Sequence, residues 1–313
     1  MIDDVDFAIE WTFQNCRMYQ DVYMFYQTSL PCPRLPCRCS FFSNYFELLL
    51  LFYFFLDRYG GDPRKIVLVG QSAGAHIGSC ILLNKIQTAA VNGTSGQNDI
   101  QQKEATWSVG SLRGFIPVSG PYDLITMRSI LHQHGLDKGI LDVMFCSDLT
   151  RFSPTCTLHD LHKISVASSH PDDDASFDNC MRGKIYKSLL LHFPPTCVIH
   201  GKTDRTVPFT VSEDFFAALR GANVQNVELK LYEKWGHTDP ILEAPFSGDH
   251  TFHKDVYDLV IQWTTKNQSA VNSTHSLKTP TRPKHSAFDP FHPACQKICP
   301  SLLVELGRFF NPF

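Results

Sequence analysis

A chain of 313 residues with 43% hydrophobic and 19% charged residues can bury one large α/β core or two small ones, and it has the balance of a soluble globular protein. A formal charge of -3 gives no electrostatic ground for a nucleic acid or an anionic membrane as partner. Eleven cysteines, an odd number scattered along the chain, read as reduced thiols; neither the Cys32, Cys37 and Cys39 cluster nor the Cys295 and Cys299 pair repeats a zinc-type spacing, so no metal is expected.

At the N-terminus, Val5, Ala8, Ile9, Thr12 and Phe13 recur at helical spacing behind Asp3 and Asp4, which favour a helix start. The stretch is acidic and has no basic region before an apolar core, so it is not read as a signal peptide. Without secretion, the sequons at Asn92, Asn267 and Asn272 are read as chance matches. Periodicity is then lost from Arg17 onward, through a proline- and cysteine-bearing stretch, to the apolar run Phe41 to Leu56. That run is 16 residues long and carries Asn44 and Glu47, short of the roughly 18–20 clean residues of a spanning helix.

Regular signals resume after Gly60-Gly61. A short strand is expected over Lys65 to Val69, a helix over Ala73 to Leu83, a polar loop over about Gln87 to Glu104, and a strand over Arg113 to Val118. Pro117 cannot donate to a ladder, so a bulge or an early strand end is expected there. Residues from about 121 to 190, with an acidic run at 172–174 read as a solvated loop, look like a lid rather than sheet. Alternation returns at Thr196 to Gly201, followed by a helix near Val211 to Leu219 and a strand over Val227 to Glu233. A last amphipathic helix carries Phe252, Val256, Leu259, Val260 and Trp263 on one face. The chain ends in a Ser-, Thr-, Pro- and Lys-rich tail. Strands alternating with helices argue for a parallel sheet with crossover helices.

The chemistry gathers at Gly70-Gln71-Ser72-Ala73-Gly74, a G-x-S-x-G pattern between a strand and a helix. A serine on so sharp a turn needs neighbours without bulk two positions away, and the following helix aims its N-terminus at a developing oxyanion, with the Ala73 amide as one donor. A phosphate loop would want a lysine after its last glycine, and Ala75-His76 stand there instead. Serine is inert without a base. Asp204 follows Ser72 by 132 residues, and His237 follows Asp204 by 33, each just past the end of an expected strand. All three therefore converge on the C-terminal edge of one parallel sheet, in the order Ser, Asp, His. Asp239 is read as a turn residue of the His237 loop and Asp123 as a brace of the lid. His200 is read as a packed residue bonding the acid loop, and His76 as structural.

The segments GGDP with GQSAGAHI, SGPYDL, FSP at 152–154, HGKTDRTVP and WGHTDP together resemble the isoprenylcysteine methylesterase branch of the α/β-hydrolase superfamily, from about Tyr59 to Trp263. The resemblance implies an α/β-hydrolase fold and a serine carboxylesterase with Ser72, His237 and Asp204 as triad. Its substrate would be the carboxyl methyl ester of a prenylated cysteine, it would need no cofactor, and it would attach to endoplasmic reticulum or Golgi membranes. It would be cytoplasmic if the apolar stretch does not anchor it. Alternatives are a general carboxylesterase, an arylformamidase, or a catalytically inactive truncated hydrolase that binds lipid or a partner.

Two departures from that pattern stand out. No HGG-type loop for a second oxyanion donor is found, so the first strands of the sheet and that donor are expected to be missing. The family's helix would run from Asn15-Cys16 almost directly into RYGGDP, whereas Arg17 to Leu56 intervene here, read as retained sequence in a misassembled gene product. The chain thus divides into a helix preceding the nucleophile strand (1–16), an aberrant apolar insert (17–56), a catalytic domain (57–266) with its lid, and a poorly ordered tail (267–313).

Overall fold

The computed structural model describes residues 2–12, 62–94, 107–167, 177–265 and Leu303. The apolar insert and nearly all of the tail lie outside the described residues. Helix α1 (2–12) precedes β1 (Val67–Gln71), α2 (Ala73–Thr94), β2 (Gly114–Val118), α3 (Leu124–Gln133), α4 (Ile140–Met144), α5 (Pro154–Ala167) and α6 (Phe177–Leu191). Then come β3 (Thr196–Gly201), α7 (Thr210–Gly221), β4 (Val227–Tyr232), α8 (Glu243–Ser247) and α9 (Thr251–Thr265). The four described strands form one all-parallel sheet in the order β1-β2-β3-β4.

Both faces of the sheet are covered, as parallel strands require. The period-2 alternation of strand side chains sends Leu68, Phe115, Val198, Val227 and Leu229 to one face, where they pack with the helices α2, α5, α6 and α7. Val67, Ile116, Val118, Cys197 and Ile199 go to the other, against Phe252, Val256, Leu259 and Trp263 of α9. Those four α9 residues are on the face read from the sequence; Val260, read with them, is not part of that cluster. Strand β2 opens on a glycine, and Trp263 packs where a side chain would stand: a Cβ on Gly114 would lie 1.9 Å from that indole.

Strand β1 starts two residues later than expected, because Asp62 caps a 3-10 turn over Pro63–Lys65 with its side chain on the Arg64 N–H. Helix α2 runs to Thr94, well past Leu83 and into the span read as a polar loop. Ile86 and Ala90 prolong its buried stripe, and the polar residues between them face outward without ending it. Pro117 neither bulges nor ends β2: the register with β1 runs unbroken from Val67↔Gly114 to Gln71↔Val118. The Phe115 N–H donates to Pro195 and the Ser119 N–H to Ile199, so position 117 faces β3 and its missing donor costs only one rung on that side.

The described parts of 121–190 carry α3 to α6, and Leu158, Leu161 and Leu190 of α5 and α6 are fully buried in the main core; the acidic run at 172–174 lies outside the described residues. Helix α1 docks onto the same core through Ile9. Its Asp6 accepts from the Trp107 indole N–H at 3.1 Å and pairs with Lys85 of α2, also at 3.1 Å.

Candidate active site

Strand β1 delivers Ser72 at the tip of its turn with φ 52°, a left-handed conformation that a side chain adopts only at a cost of about 1 kcal/mol or more. The surroundings hold it there. The Ser72 N–H donates to the Val118 carbonyl at 2.8 Å, and the Ser72 carbonyl accepts from the Ala75 and His76 N–H groups as α2 begins. The sequence asked for small residues on both sides, but the geometry is one-sided. A Cβ on Gly70 would meet the Gly74 carbonyl oxygen at 2.6 Å, whereas a Cβ on Gly74 would touch nothing described within 4 Å. Ala73 is the first residue of α2, so its N–H belongs to the donors that leave a helix N-terminus without an intrahelical acceptor.

The loops after β3 and β4 bring the other two predicted residues to this tip. His237 Nε2 lies 2.8 Å from Ser72 Oγ, and His237 Nδ1 lies 2.7 Å from Asp204 Oδ2. Asp204 Oδ1 accepts from the Thr206 and Val207 N–H groups at 2.8 and 2.9 Å, which ties that one oxygen to the acid loop. Burial pushes the Asp204 carboxyl up, but hydrogen bonds from His200, His237 and the Val207 N–H outweigh it and hold the group at about 2. The carboxylate is thus ionised at neutral pH and stabilises positive charge on the imidazole between it and the serine.

The two loops are tied to each other. The Thr203 N–H donates to the Trp235 carbonyl at 3.0 Å and the Lys202 N–H to the Tyr232 carbonyl at 2.8 Å. A Cβ on Gly201 would sit 2.2 Å from that same Trp235 oxygen, so the acid loop comes this close to the histidine loop only over a glycine. Trp235 stacks on Tyr232 and meets Phe252 edge-on, which seats the histidine loop on α9.

Other residues weighed from the sequence fall in supporting places. Asp239 accepts from the Gly236 N–H at 2.6 Å and so shapes the His237 loop. Asp123 caps α3 through the Ile125 and Thr126 N–H groups. His76, whose burial lowers its proton affinity, bonds the Phe152 carbonyl at 2.7 Å. His200 is fully buried and bonds Asp204, the Val207 carbonyl and Ser212.

One site residue escaped the sequence reading. Gln71 Nε2 donates to the His237 carbonyl at 2.9 Å and clasps the histidine loop to the end of β1. Its only sequence signal is a polar residue beside the serine at a strand end. Burial pushes the thiols of Cys80 and Cys197 up to about 12, which leaves them poor nucleophiles beside this serine. Among the described residues no group of three or more His, Cys, Asp or Glu is placed to hold a metal ion.

The model of the prolyl oligopeptidase family matches residues 133–270. A probable isoprenylcysteine alpha-carbonyl methylesterase of Oryza sativa subsp. japonica is 30% identical over 82% of this chain and 49% of its own length. The isoprenylcysteine alpha-carbonyl methylesterase of Arabidopsis thaliana is 27% identical over 82% of this chain and 49% of its own. The chain therefore spans about half the length of these relatives. Among solved structures, an acylaminoacyl peptidase aligns with a TM-score of 0.38 at 14% identity, over 69% of this chain and 26% of its own, a likeness too loose to carry an argument. The parallel sheet, the strand-to-helix serine turn and the relatives agree: the chain has an α/β-hydrolase fold and is similar to the isoprenylcysteine methylesterases.

Proposed function

We propose that the chain is a serine carboxylesterase that hydrolyses the carboxyl methyl ester of a prenylated cysteine. The observation that carries the reading is the continuous hydrogen-bonded chain from Ser72 Oγ through His237 to Asp204. His237 Nε2 takes the hydroxyl proton as Ser72 Oγ attacks the ester carbonyl, and Asp204 keeps the imidazole in the tautomer that can accept it. The Ala73 N–H stabilises the oxyanion. His237 returns the proton to the departing methanol oxygen, then takes one from water as that water attacks the acyl group on Ser72. The serine is released with its proton and the product is the free carboxylate. The choice of ester comes from the named relatives. A prenylated substrate is drawn to a bilayer, so the reading puts the reaction at a membrane surface, and the resemblance to the methylesterases makes endoplasmic reticulum or Golgi that surface. No helix among the described residues is long and apolar enough to cross a membrane.

A fluorophosphonate probe tests the nucleophile. Labelling of the purified chain that disappears in Ser72→Ala is expected, followed by methanol release from a prenylcysteine methyl ester. A folded chain that does not label would refute the esterase reading. Labelling with turnover of aryl esters or peptides, and none of the prenylated ester, would refute the substrate.

A further inference from the structure

Among the described residues His200 is one of the few fully buried polar side chains, and the reaction just described gives it no part. It stands at the end of β3, four residues before Asp204. Its Nε2 lies 3.1 Å from Asp204 Oδ2 and 2.9 Å from the Val207 carbonyl oxygen. Neither a carboxylate nor a carbonyl oxygen can donate, so both contacts are favourable only with the proton on Nε2. On the other side of the ring, Nδ1 lies 2.6 Å from Ser212 Oγ. With Nε2 protonated, Nδ1 accepts from the Ser212 hydroxyl, which anchors the ring to α7.

Asp204 Oδ2 is thus shared by two imidazoles, His237 on the serine side and His200 on the core side. A carboxylate oxygen that aims at His237 has lone pairs to spare, and His200 supplies a donor to the one pointing inward. Without that donor, Oδ2 would face a buried imidazole-sized space, and the carboxylate, pinned by the backbone at Oδ1 alone, would be free to swing Oδ2 away from His237.

We propose that His200 is a positioning residue: by donating from Nε2 to Asp204 Oδ2 while Ser212 holds its other nitrogen, it keeps the carboxylate aimed at His237 Nδ1. The role rests on the esterase reading for its effect on rate, but the His200–Asp204–His237 linkage itself does not need turnover to be seen.

Three substitutions separate positioning from packing. His200→Gln keeps an amide donor near the reach of Nε2; His200→Asn is too short to reach Asp204; His200→Leu fills the space with no donor. Two readouts are taken on folded protein. One is the far-downfield proton NMR resonance of the His237 Nδ1–H held by Asp204. The other is the fluorophosphonate labelling rate of Ser72, with kcat and KM measured on a methyl ester. Wild type and His200→Gln are expected to keep the resonance. His200→Asn and His200→Leu should lose it and label about tenfold more slowly, the scale of one charge-assisted hydrogen bond, with the loss in kcat and KM little changed.

If the Asn and Leu variants keep the resonance and the wild-type rate per folded molecule, His200 only fills space and the proposal falls. Equal loss in the Gln and Asn variants overturns it too, as does a wild-type spectrum without the resonance. Should His200→Leu fail to fold, the contrast of Gln with Asn still decides. A wild type that shows the resonance but never labels would defeat the esterase reading and leave the spectral comparison to judge His200.

Discussion

Asp204 accepts hydrogen bonds from the Thr206 and Val207 N–H groups and from two imidazoles while only 8% exposed. Those bonds hold its carboxyl at about 2, below the ordinary value of about 3.9 that it has in an unfolded chain. A depressed acid contributes stability that is fully present above the unfolded value and is lost as pH falls through the folded one. The difference amounts to about 2 kcal/mol. Urea unfolding followed between pH 5 and pH 2 should therefore show wild type losing more stability than Asp204→Asn, by about that amount. Equal slopes would mean the carboxylate is not specially held. Gln71 makes a smaller contribution at the same scale. Its amide is worth one ordinary hydrogen bond to the His237 carbonyl, so Gln71→Ala should slow Ser72 labelling roughly fivefold with Tm nearly unchanged. A change confined to Tm would make the clasp a matter of stability only.

At the scale of the elements, two glycines that look alike in the sequence behave differently. Gly70, one residue before the end of β1, lies under the Gly74 carbonyl, so Gly70→Ala forces the turn apart and should cost about 1–3 kcal/mol, together with the labelling of Ser72. Gly74 has no described neighbour within 4 Å of a Cβ, and in a helix Ala is preferred to Gly, so Gly74→Ala should leave stability within about 1 kcal/mol of wild type or raise it. Denaturation midpoints of the two variants check both statements, and equal losses would contradict the one-sided packing. Gly201→Ala belongs with the first: pushed against the Trp235 carbonyl, it should separate the acid loop from the histidine loop and lower the labelling rate more than the stability.

The strands were legible because buried parallel strands are short apolar runs, and Thr196 to Gly201 could be read to the residue. The approach of Ser72, Asp204 and His237 was legible because all three follow strand ends, which a parallel sheet brings to one edge. Less was readable where the cause is distant in sequence. The length of α2 depends on Ile86 and Ala90 meeting a core built by later helices, and the Gln71 clasp joins residues 166 apart. The tolerance of Pro117 depends on which neighbour its nitrogen faces, a matter of register that no local pattern carries.

For the molecule as a whole, the two faces of the sheet are covered unequally among the described residues, and the side with the smaller described cluster supports the site. On one face, α2, α5, α6 and α7 share a large core; on the other, α8 and α9 cover a small cluster around Ile116, Val118 and Ile199. Trp235, two residues before His237, belongs to that smaller cluster and leans edge-on against Phe252. Phe252→Ala should therefore do two things at once. It removes a buried ring from a cluster with few other members, which costs about 3 kcal/mol in global stability. It also takes away the support under Trp235, so the histidine loop opens more often than the whole molecule unfolds. Hydrogen exchange distinguishes the two effects. In the variant, amides of residues 233–239 should lose more protection than those of β2 and β3, and Ser72 labelling should slow even where the folded fraction is unchanged. A Val211→Ala substitution in the larger core makes the control: it lowers stability through the other face and should leave that loop's relative protection as it is. Parallel loss of protection in both variants would mean that the sheet transmits either defect equally, and that the site does not depend on the face carrying α9.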